Sequence, residues 1–448
     1  MNNTIFVSIA SYRDKELIPT IKNMVEKADH PEQLFISVCW QVEEPDFSIF
    51  MDIGALETDY QSDNPDVIRL NYQGATLNIH FIQIYQAKGA CWARHCCELY
   101  YTNEHYFLQI DSHCRFTENW DTEIISYYLS LKQHTNKPVV TGYPPHYSPA
   151  TEEAEEVRGE GCSRMVFNAF NDNDIPSFLP IGLLDRTQHT RGCFLAGGFT
   201  FSSGSFVLDV PNDPQIFFLG EEIAMSARAY THGYDLYYPH KIFLWHFYNR
   251  EGCDRIWGDH TEEKKETKKI EKAWWERDAI SKNRVRKLLK IKDDEEIELG
   301  KYCLGNERPL EDYEYLTGIC FSEQLLINEL LGVIKPCYFD EKPVSRSEWL
   351  NSLYSPYYSA LDINKTDIPE NNEKIDYWSL GVFTENDELL AMQRLTPEQL
   401  NEQVTKDKPD AYCFKIKLKE KPRSLPKKIR LAPFFGHSGW GETLEKPW

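Results

Sequence analysis

The first 110 residues alternate apolar segments with amphipathic ones, and this alternation limits the fold more than any other feature of the sequence. The predicted strands are residues 5–10, 34–39, 77–84 and 105–110, and the predicted helices are residues 16–28 and 90–101. Strands that alternate with helices form a mostly parallel sheet covered on both faces. We therefore predict an α/β fold. Ligands of such sheets bind beyond the carboxyl ends of the strands, which makes the loops after Ala10 and Ile110 candidate sites.

The composition of the sequence changes three times further along the chain. Short strands and glycine-rich turns are expected at about 139–245, residues 261–300 are charged and helix-rich, and a separate unit begins after about residue 330. The strand-like runs of this unit are residues 378–383, 412–417 and 429–431. Because polar, proline-containing connections separate them, we predict a small C-terminal β-rich domain.

Charge and hydropathy exclude several classes of partner. The 448 residues include 49 Lys and Arg against 70 Asp and Glu, a formal net charge of −21. A surface this acidic repels polyanions, so we expect no nucleic-acid partner. No apolar run reaches the length of a membrane span, and the first apolar run, residues 5–10, is too short for a signal peptide. We therefore expect no transmembrane segment and a cytoplasmic location.

A metal site is indicated where two apolar strands end. Residues 107–110 lead into Asp111 and His113, and residues i and i+2 of an extended segment point the same way. A second apolar strand, residues 242–246, ends in His246. Oxygen and imidazole ligands together favour Mn²⁺ over Mg²⁺. Structural roles, with Asp111 as a cap and His246 as a hydrogen-bonded core residue, remain the alternative.

Paired glycines and paired glutamates form a third signal. Gly197 and Gly198 allow a backbone to approach a bulky ligand closely. Glu221 and Glu222 stand at a predicted helix start, where carboxylates can accept hydrogen bonds from sugar hydroxyls or stabilise an oxocarbenium-like centre. For one of the two glutamates, favourable placement in the helix dipole is the simpler explanation.

Several ordered blocks together resemble a known family. They are residues 5–14 (IFVSIASYRD), 38–41 (VCWQ), 87–89 (AKG) with Ala93 and Arg94, 108–113 (LQIDSH), 197–201 (GGFTF), 204–206 (GSF), 220–223 (GEEI), 231–235 (THGYD), and Trp245 with His246. In this order they resemble the UDP-GlcNAc:polypeptide alpha-N-acetylglucosaminyltransferases, which include the Skp1-hydroxyproline GlcNAc-transferases. The resemblance extends from about residue 4 to 320.

This resemblance implies a GT-A fold, which is a Rossmann-like mixed sheet flanked by helices. Together with the changes along the sequence, it divides the chain into a catalytic domain at 1–260, a helical extension that completes it at 261–330, and an accessory β-rich domain at 331–448, to which the resemblance does not extend. It also implies a divalent metal ion and a UDP-sugar donor. The metal ligands would be Asp111, His113 and His246.

The other site residues are carried over in the same way. Ala10, Tyr12, Arg13, Arg94 and Asp111 are assigned to the uridine diphosphate. Gly198, Glu221 and Glu222 would line the donor-sugar and acceptor side, with the two glutamates in the catalytic role. Residues 247–260 correspond to a loop that folds over UDP, with contacts from Tyr248, Arg250 and Trp257.

The predicted function is that of a metal-dependent, retaining hexosaminyltransferase. It would move N-acetylglucosamine from UDP-GlcNAc, with Mn²⁺ or Mg²⁺, to a Ser, Thr or hydroxyproline hydroxyl of a protein. One alternative is the extension of a surface glycan with another UDP-sugar, in which the C-terminal domain binds a polysaccharide or mediates oligomerisation. The alternatives from other classes are a metal-dependent hydrolase, which usually needs more ligands, and a non-catalytic sugar-binding protein.

Overall fold

The computed structural model of the chain describes residues 3–59, 64–150, 155–171, 174–368, 374–420 and 425–448. The chain forms two compact units, Met1–Ser322 with Pro336–Lys342, and Glu323–Lys335 with Pro343–Trp448. The first unit is a mixed α/β structure and the second is rich in β-strands, so the predicted fold class is confirmed. In the described residues no helix combines the length and hydropathy that a membrane crossing requires.

The strands of the first unit are β1 (Ile5–Tyr12), β2 (Leu34–Val42), β3 (Leu56–Glu57), β4 (Val67–Tyr72), β5 (Ala75–Gln83), β6 (Tyr106–Asp111), β7 (Cys114–Phe116), β8 (Pro138–Thr141), β9 (Tyr147–Ser148), β10 (Val157–Arg158), β11 (Ser163–Phe170), β12 (Pro176–Gly182), β13 (Thr190–Gly192), β14 (Phe199–Ser203), β15 (Asp235–Tyr238), β16 (Leu244–His246) and β17 (Ile319–Cys320). Its α-helices are α1 (Leu17–Glu26), α2 (Ser48–Met51), α3 (Ala90–Glu98), α4 (Trp120–Leu131), α5 (Phe206–Asp209), α6 (Glu221–Thr231), α7 (Ile256–Asp259), α8 (Glu262–Glu266), α9 (Trp274–Leu288) and α10 (Leu310–Thr317). Short 3₁₀ helices cover Pro31–Gln33, Ile84–Gln86 and Gly300–Tyr302.

Ten strands of the described residues form one sheet in the order β13-β15-β8-β14-β6-β1-β2-β5-β4-β3. Its centre, β6-β1-β2-β5, is parallel, as the alternation of strands and helices predicts. Strand β14 lies antiparallel between β6 and β8, and β4 returns antiparallel along β5. The sheet is therefore mixed, as the family resemblance implied, whereas alternation alone predicted a mostly parallel sheet.

Both faces of the sheet are buried, which explains why its strands read as continuous apolar runs. Ile5, Val7 and Ile9 of β1 pack into the core that α1 and α4 cover. Phe6, on the opposite face of the same strand, belongs to the second core cluster together with Phe107. Because successive side chains of a strand point to opposite faces, β1 contributes to the hydrophobic core on both faces of the sheet.

Two strand pairings bring the predicted metal ligands to one place. Ala10 of β1 lies opposite Asp111 of β6, because the two parallel strands end at the same edge of the sheet. Outside this sheet, β7 pairs antiparallel with β16, and this places Cys114 opposite His246. This short antiparallel pairing places His246 beside the segment that carries His113, although the two histidines are far apart in sequence.

The second unit contains strands β18 (Leu325–Leu326), β19 (Ser355–Asn364), β20 (Tyr377–Phe383), β21 (Leu389–Leu395), β22 (Val404–Thr405), β23 (Lys408–Glu420), β24 (Lys428–Phe435), β25 (Gly439–Trp440) and β26 (Leu444–Pro447). Its helices are α11 (Arg346–Ser352), α12 (Pro397–Asn401) and the 3₁₀ helices Asn328–Leu331 and Lys365–Asp367. A sheet of β19-β23-β22 and a sheet built on β21-β20-β24 share a core that includes Trp378 and Phe414. The three strands predicted here from the sequence correspond to β20, β23 and β24.

Candidate active site

A cleft of about 580 Å³ opens at the carboxyl ends of β1 and β6. The predicted site residues on its wall are Ala10, Tyr12, Arg94, Asp111, His113, Gly198, Glu221, Glu222, His246, Tyr248, Arg250 and Trp257. Among the described residues, Arg13 is the predicted site residue that does not line the cleft. Arg94, Glu221 and His246 are buried, and Asp111 and His113 are partly exposed. We call these five residues the floor, and residues 247–260 the cover.

Three side chains of the floor have the geometry of a metal site. The nearest ligand atoms of Asp111, His113 and His246 all lie within 4.8 Å of one another. His246 Nε2 is 3.0 Å and His113 Nε2 is 4.0 Å from Asp111 Oδ2. Asp14 Oδ2 lies 2.7 Å from His113 Nδ1, which leaves Nε2 of that ring directed at Asp111. Carboxylates commonly orient metal-binding histidines in this way.

The electrostatics of this group also fit a divalent cation. Burial by itself raises the pKa of Asp111, but the hydrogen bond from His246 and the charge of Arg94 hold it below its ordinary range. Burial lowers the pKa of His246, which keeps its imidazole neutral. An ionised carboxylate beside imidazole nitrogens is a donor set suited to Mn²⁺ or a similar borderline ion.

Arg94 joins the metal side of the floor to helix α6. Its guanidinium donates to Asp111 Oδ1 at 3.0 Å and also pairs with Glu221. The Cys91 thiol donates to the other oxygen of Glu221 at 3.2 Å. The side chains of Arg94 and Glu221 are only 5% and 6% exposed, so this ion pair is almost dry. Both oxygens of Glu221 are therefore engaged by the protein.

Glu222 has a different environment, although it is the next residue. It lines the cleft, where the Tyr143 hydroxyl donates to its Oε2 at 2.6 Å and the Gly197 backbone N–H donates to Oε1 at 3.2 Å. Burial, the largest influence, together with the neighbouring Glu221 charge, raises the pKa of Glu222 to about 7. Glu222 is thus near its midpoint at neutral pH, a property typical of carboxyl groups at functional sites.

The paired glycines make room for these carboxylates. A Cβ atom at Gly197 would collide with Glu221, and one at Gly198 would lie 2.7 Å from Asp111 Oδ2 and 3.6 Å from His246 Nε2. The sequence analysis expected the glycines to admit a bulky ligand. In the structure they admit the side chains of the floor, and any larger residue at Gly198 would collide with Asp111 of the candidate metal site.

The cover is held to the strand ends by ion pairs. Arg250 Nη1 lies 3.0 Å from Asp14 Oδ2. Asp259 accepts hydrogen bonds from Tyr12 Oη at 2.8 Å and from Arg13 Nη1 at 3.0 Å. In this conformation Tyr12, which lines the cleft, and Arg13, which does not, both bind the cover.

Aromatic side chains of the cover face the cleft. Tyr248 packs its ring 4.2 Å from that of His246, and the Trp257 ring lies 6.1 Å from Phe218. Both keep large exposed fractions, 45% for Tyr248 and 37% for Trp257. Their exposed faces are therefore accessible to a ligand in the cleft.

Three residues of this site were missed in the sequence analysis as individual candidates, namely Asp14, Tyr143 and Asp259. Asp14 lies in the loop after β1, which had been marked as a candidate loop, so its position was an available signal. Tyr143 and Asp259 act through partners at least 79 residues away in the sequence. No local pattern reports such partners.

Comparison with known proteins identifies the family. Residues 4–323 match the family model described as Glycosyltransferase (GlcNAc), and the chain belongs to this glycosyltransferase family. None of the curated proteins compared with the sequence matches it.

Solved structures give more distant likenesses. GalNAc-T7 with UDP, GalNAc and Mn²⁺ is 14% identical, with a TM-score of 0.41; the match covers 55% of this chain and 44% of that one. TarS from S. aureus is 12% identical over 99% of this chain and 77% of its own, with a TM-score of 0.34. TarS 1–349 in complex with UDP-GlcNAc is 10% identical over 63% of this chain and 72% of its own, with a TM-score of 0.32. This chain thus spans less than half the length of GalNAc-T7.

Proposed function

We propose that this protein transfers N-acetylglucosamine from UDP-GlcNAc to a hydroxyl group, with retention of the anomeric configuration and with a divalent metal ion. The observation that carries the proposal is the Asp111, His113 and His246 group at the base of a cleft inside the family-matched region. The family description supports N-acetylglucosamine as the sugar. A cleft of this volume is within the range of ligand sites for small molecules.

The residues of the cleft suggest how the reaction is organised. Mn²⁺ or Mg²⁺, when held by Asp111, His113 and His246, would neutralise the diphosphate of the donor. The acceptor hydroxyl attacks the anomeric carbon from the face that UDP leaves, the carbon–oxygen bond to UDP breaks, and the hydroxyl proton passes to the departing diphosphate. This route needs no enzyme nucleophile. Glu222 is the better placed of the two glutamates to contact the sugar or the acceptor, since both oxygens of Glu221 bind Arg94 and Cys91.

The cover would exclude water from the donor. The exposed aromatic side chains of the cover, the pair of its Arg250 with Asp14 and the contacts of its Asp259 with Tyr12 and Arg13 would allow it to close over a bound donor. We propose Tyr248, Arg250 and Trp257 as its donor contacts.

The test is UDP release from a panel of UDP-sugars with Mn²⁺ and no acceptor, with and without EDTA. Transferases slowly hydrolyse their donor, so the assay does not need the acceptor. We expect release from UDP-GlcNAc, its loss with EDTA, and a fall of at least about 100-fold in His246→Ala, since a ligand contributes more than the outer-shell groups that tune it. His134→Ala is the matched control, because His134 is exposed at the end of α4.

The result separates the parts of the proposal. Release from another UDP-sugar alone would replace N-acetylglucosamine but keep the site. Release that persists in EDTA would contradict the metal. Silence across the panel, together with the absence of UDP binding by calorimetry, would refute the transferase proposal.

The acceptor and the second unit are part of the same proposal. By resemblance we propose a Ser, Thr or hydroxyproline hydroxyl of a cytoplasmic protein as acceptor.

For the second unit we propose a binding role toward a glycan. The stacked rings of Tyr377 and Phe434, with Trp440 at 5.0 Å from Phe434 and 56% exposed, support it. Trp440→Ala should weaken retention on acceptor polysaccharides but leave acceptor-free UDP release within about twofold, as is usual for exposed positions; unchanged retention would contradict the glycan role.

A further inference from the structure

One short segment beside the cleft contacts three separate parts of the site. Residues 143–145, the connector, follow strand β8. The Tyr143 hydroxyl donates to Glu222 Oε2 at 2.6 Å. The next two carbonyl oxygens also accept hydrogen bonds, that of Pro144 from Tyr248 Oη at 2.7 Å and that of Pro145 from the His246 backbone N–H at 3.0 Å.

The connector is stiff for local reasons. Pro144 and Pro145 each have a φ angle fixed by the ring, and the residue before a proline is restricted as well. The Ser163 hydroxyl donates to the Tyr143 carbonyl at 2.8 Å, which attaches the segment to β11. A stiff segment loses little conformational freedom when it is ordered on folding. The connector can therefore fix the Glu222 carboxyl, the Tyr248 side chain and the backbone of His246 at the same time.

The groups that act on the Glu222 carboxyl shift its pKa in different directions. Burial has the largest effect and raises the pKa to about 7, and Glu221 on the same helix also raises it. The Tyr143 hydroxyl, the Gly197 N–H and the Arg94 charge lower it. Tyr248 faces the same carboxyl from the cover, and its own pKa is raised, first by burial, so it stays neutral. Tyr143 is thus the hydroxyl donor that favours the ionised form of Glu222.

We infer that Tyr143 is a positioning residue of the cleft, whose hydroxyl holds the Glu222 carboxyl at the place where the connector also fixes Tyr248 and His246. Its role in the reaction rests on the proposed function. The contact itself does not, and it can be measured without substrate.

The first experiment follows the Glu222 carboxyl in the full chain by NMR with ¹³Cδ-labelled glutamate. Glu222→Gln assigns the resonance by its disappearance. We expect the carboxyl to titrate near pH 7 in the unmodified protein and about one unit higher in Tyr143→Phe, the size expected for one lost hydrogen bond to a charged group. Tyr234→Phe is the matched control, since it removes a tyrosine hydroxyl from Asp209 at 2.8 Å outside the cleft.

The second experiment measures the pH dependence of UDP release. The limb of the pH–rate profile that reflects the ionisation of Glu222 should move to higher pH in Tyr143→Phe, because the Tyr143 hydroxyl favours the ionised carboxyl. The direction is the same whichever protonation state of Glu222 the reaction uses. We expect kcat to fall about 10-fold and KM for the donor to change less than twofold. In a Glu222→Gln background, Tyr143→Phe should have little further effect, as coupled residues are not additive.

An unchanged Glu222 titration in Tyr143→Phe, or an equal shift in Tyr234→Phe, would overturn the inference. Fully additive effects of Tyr143→Phe and Glu222→Gln on kcat would overturn the route through Glu222. No UDP release by the unmodified protein would overturn the proposed function and with it the reaction role, while the NMR titration would still decide whether Tyr143 holds Glu222.

Discussion

The floor and the cover of the cleft are built from different kinds of contact. In the floor, Arg94 and Glu221 are nearly inaccessible to water and each makes more than one polar contact. In the cover, the partner of Asp259 is Arg13, whose side chain is 30% exposed. Buried ion pairs are costly to break, whereas exposed pairs contribute little and are screened by salt. The floor is therefore preorganised. In the cover, the Arg13–Asp259 pair is the more easily broken contact, whereas the Arg250–Asp14 pair, with side chains 17% and 4% exposed, is shielded like those of the floor.

The largest expected effect comes from breaking the floor. Arg94→Met leaves the carboxylates of Glu221 and Asp111 without their shared cation, and we expect a loss of about 3 kcal/mol of folding free energy. Chemical denaturation measures it. Lys241→Met is the matched control, because its pair with Glu123 at 3.3 Å is about half exposed, and it should cost less than about 1 kcal/mol. Equal losses in the two variants would remove the distinction between the buried ion pairs of the floor and exposed ion pairs.

Asp14 belongs to both regions, so its substitution tests whether they are separable. It binds His113 and Ser112 in one direction and Arg250 of the cover in the other. Asp14→Asn should lower Mn²⁺ affinity about 10- to 100-fold, because the outer-shell partner of His113, a proposed metal ligand, is lost. Calorimetry with Mn²⁺ alone measures this. Arg250→Gln removes only the contact to the cover and should leave Mn²⁺ affinity within about twofold; a matching loss there would contradict the separation.

Loosening the cover alone should affect donor binding more than turnover. Asp259→Ala removes the hydrogen bond from Tyr12 and the pair with Arg13, and we expect KM for the UDP-sugar to rise about 10-fold, the equivalent of about 1.4 kcal/mol. Initial-rate kinetics measure it. Asp254→Ala is the control, since Asp254 is 52% exposed and 3.4 Å from Arg13. A kcat effect larger than the KM effect would mean that the cover participates in chemistry.

The smallest effect is expected for an aromatic residue of the cover. Trp257→Ala removes a ring that packs on Phe218 and Arg255 but is 37% exposed. We expect KM for the donor to rise about threefold, below the effect of Asp259→Ala, with unfolding unchanged within about 0.5 kcal/mol. A drop in stability as large as that of Arg94→Met would place Trp257 with the floor.

The sequence by itself determined the features that depend on local order. Apolar periodicity located β1, β2, β5, β6, α1 and α3 within a few residues. The spacing of Asp111 and His113 after an apolar strand indicated a shared direction, and both side chains do line the cleft. The grouping of His246 with them came from its place at the end of another strand, supported by the family resemblance. These signals succeed because neighbours along a strand have a fixed geometry.

Only the tertiary structure decided which partners surround residues that are neighbours in sequence. Glu221 and Glu222 are adjacent in sequence but have different partners. Arg94, which is 127 residues from Glu221, forms an ion pair with it. Tyr143, which is 79 residues from Glu222, donates a hydrogen bond to it. The antiparallel insertion of β14 beside β6 carries the loop of Gly197 and Gly198 to the same carboxylates. Burial and charge at these positions come from residues that the chain brings together only on folding, so no local pattern contains them.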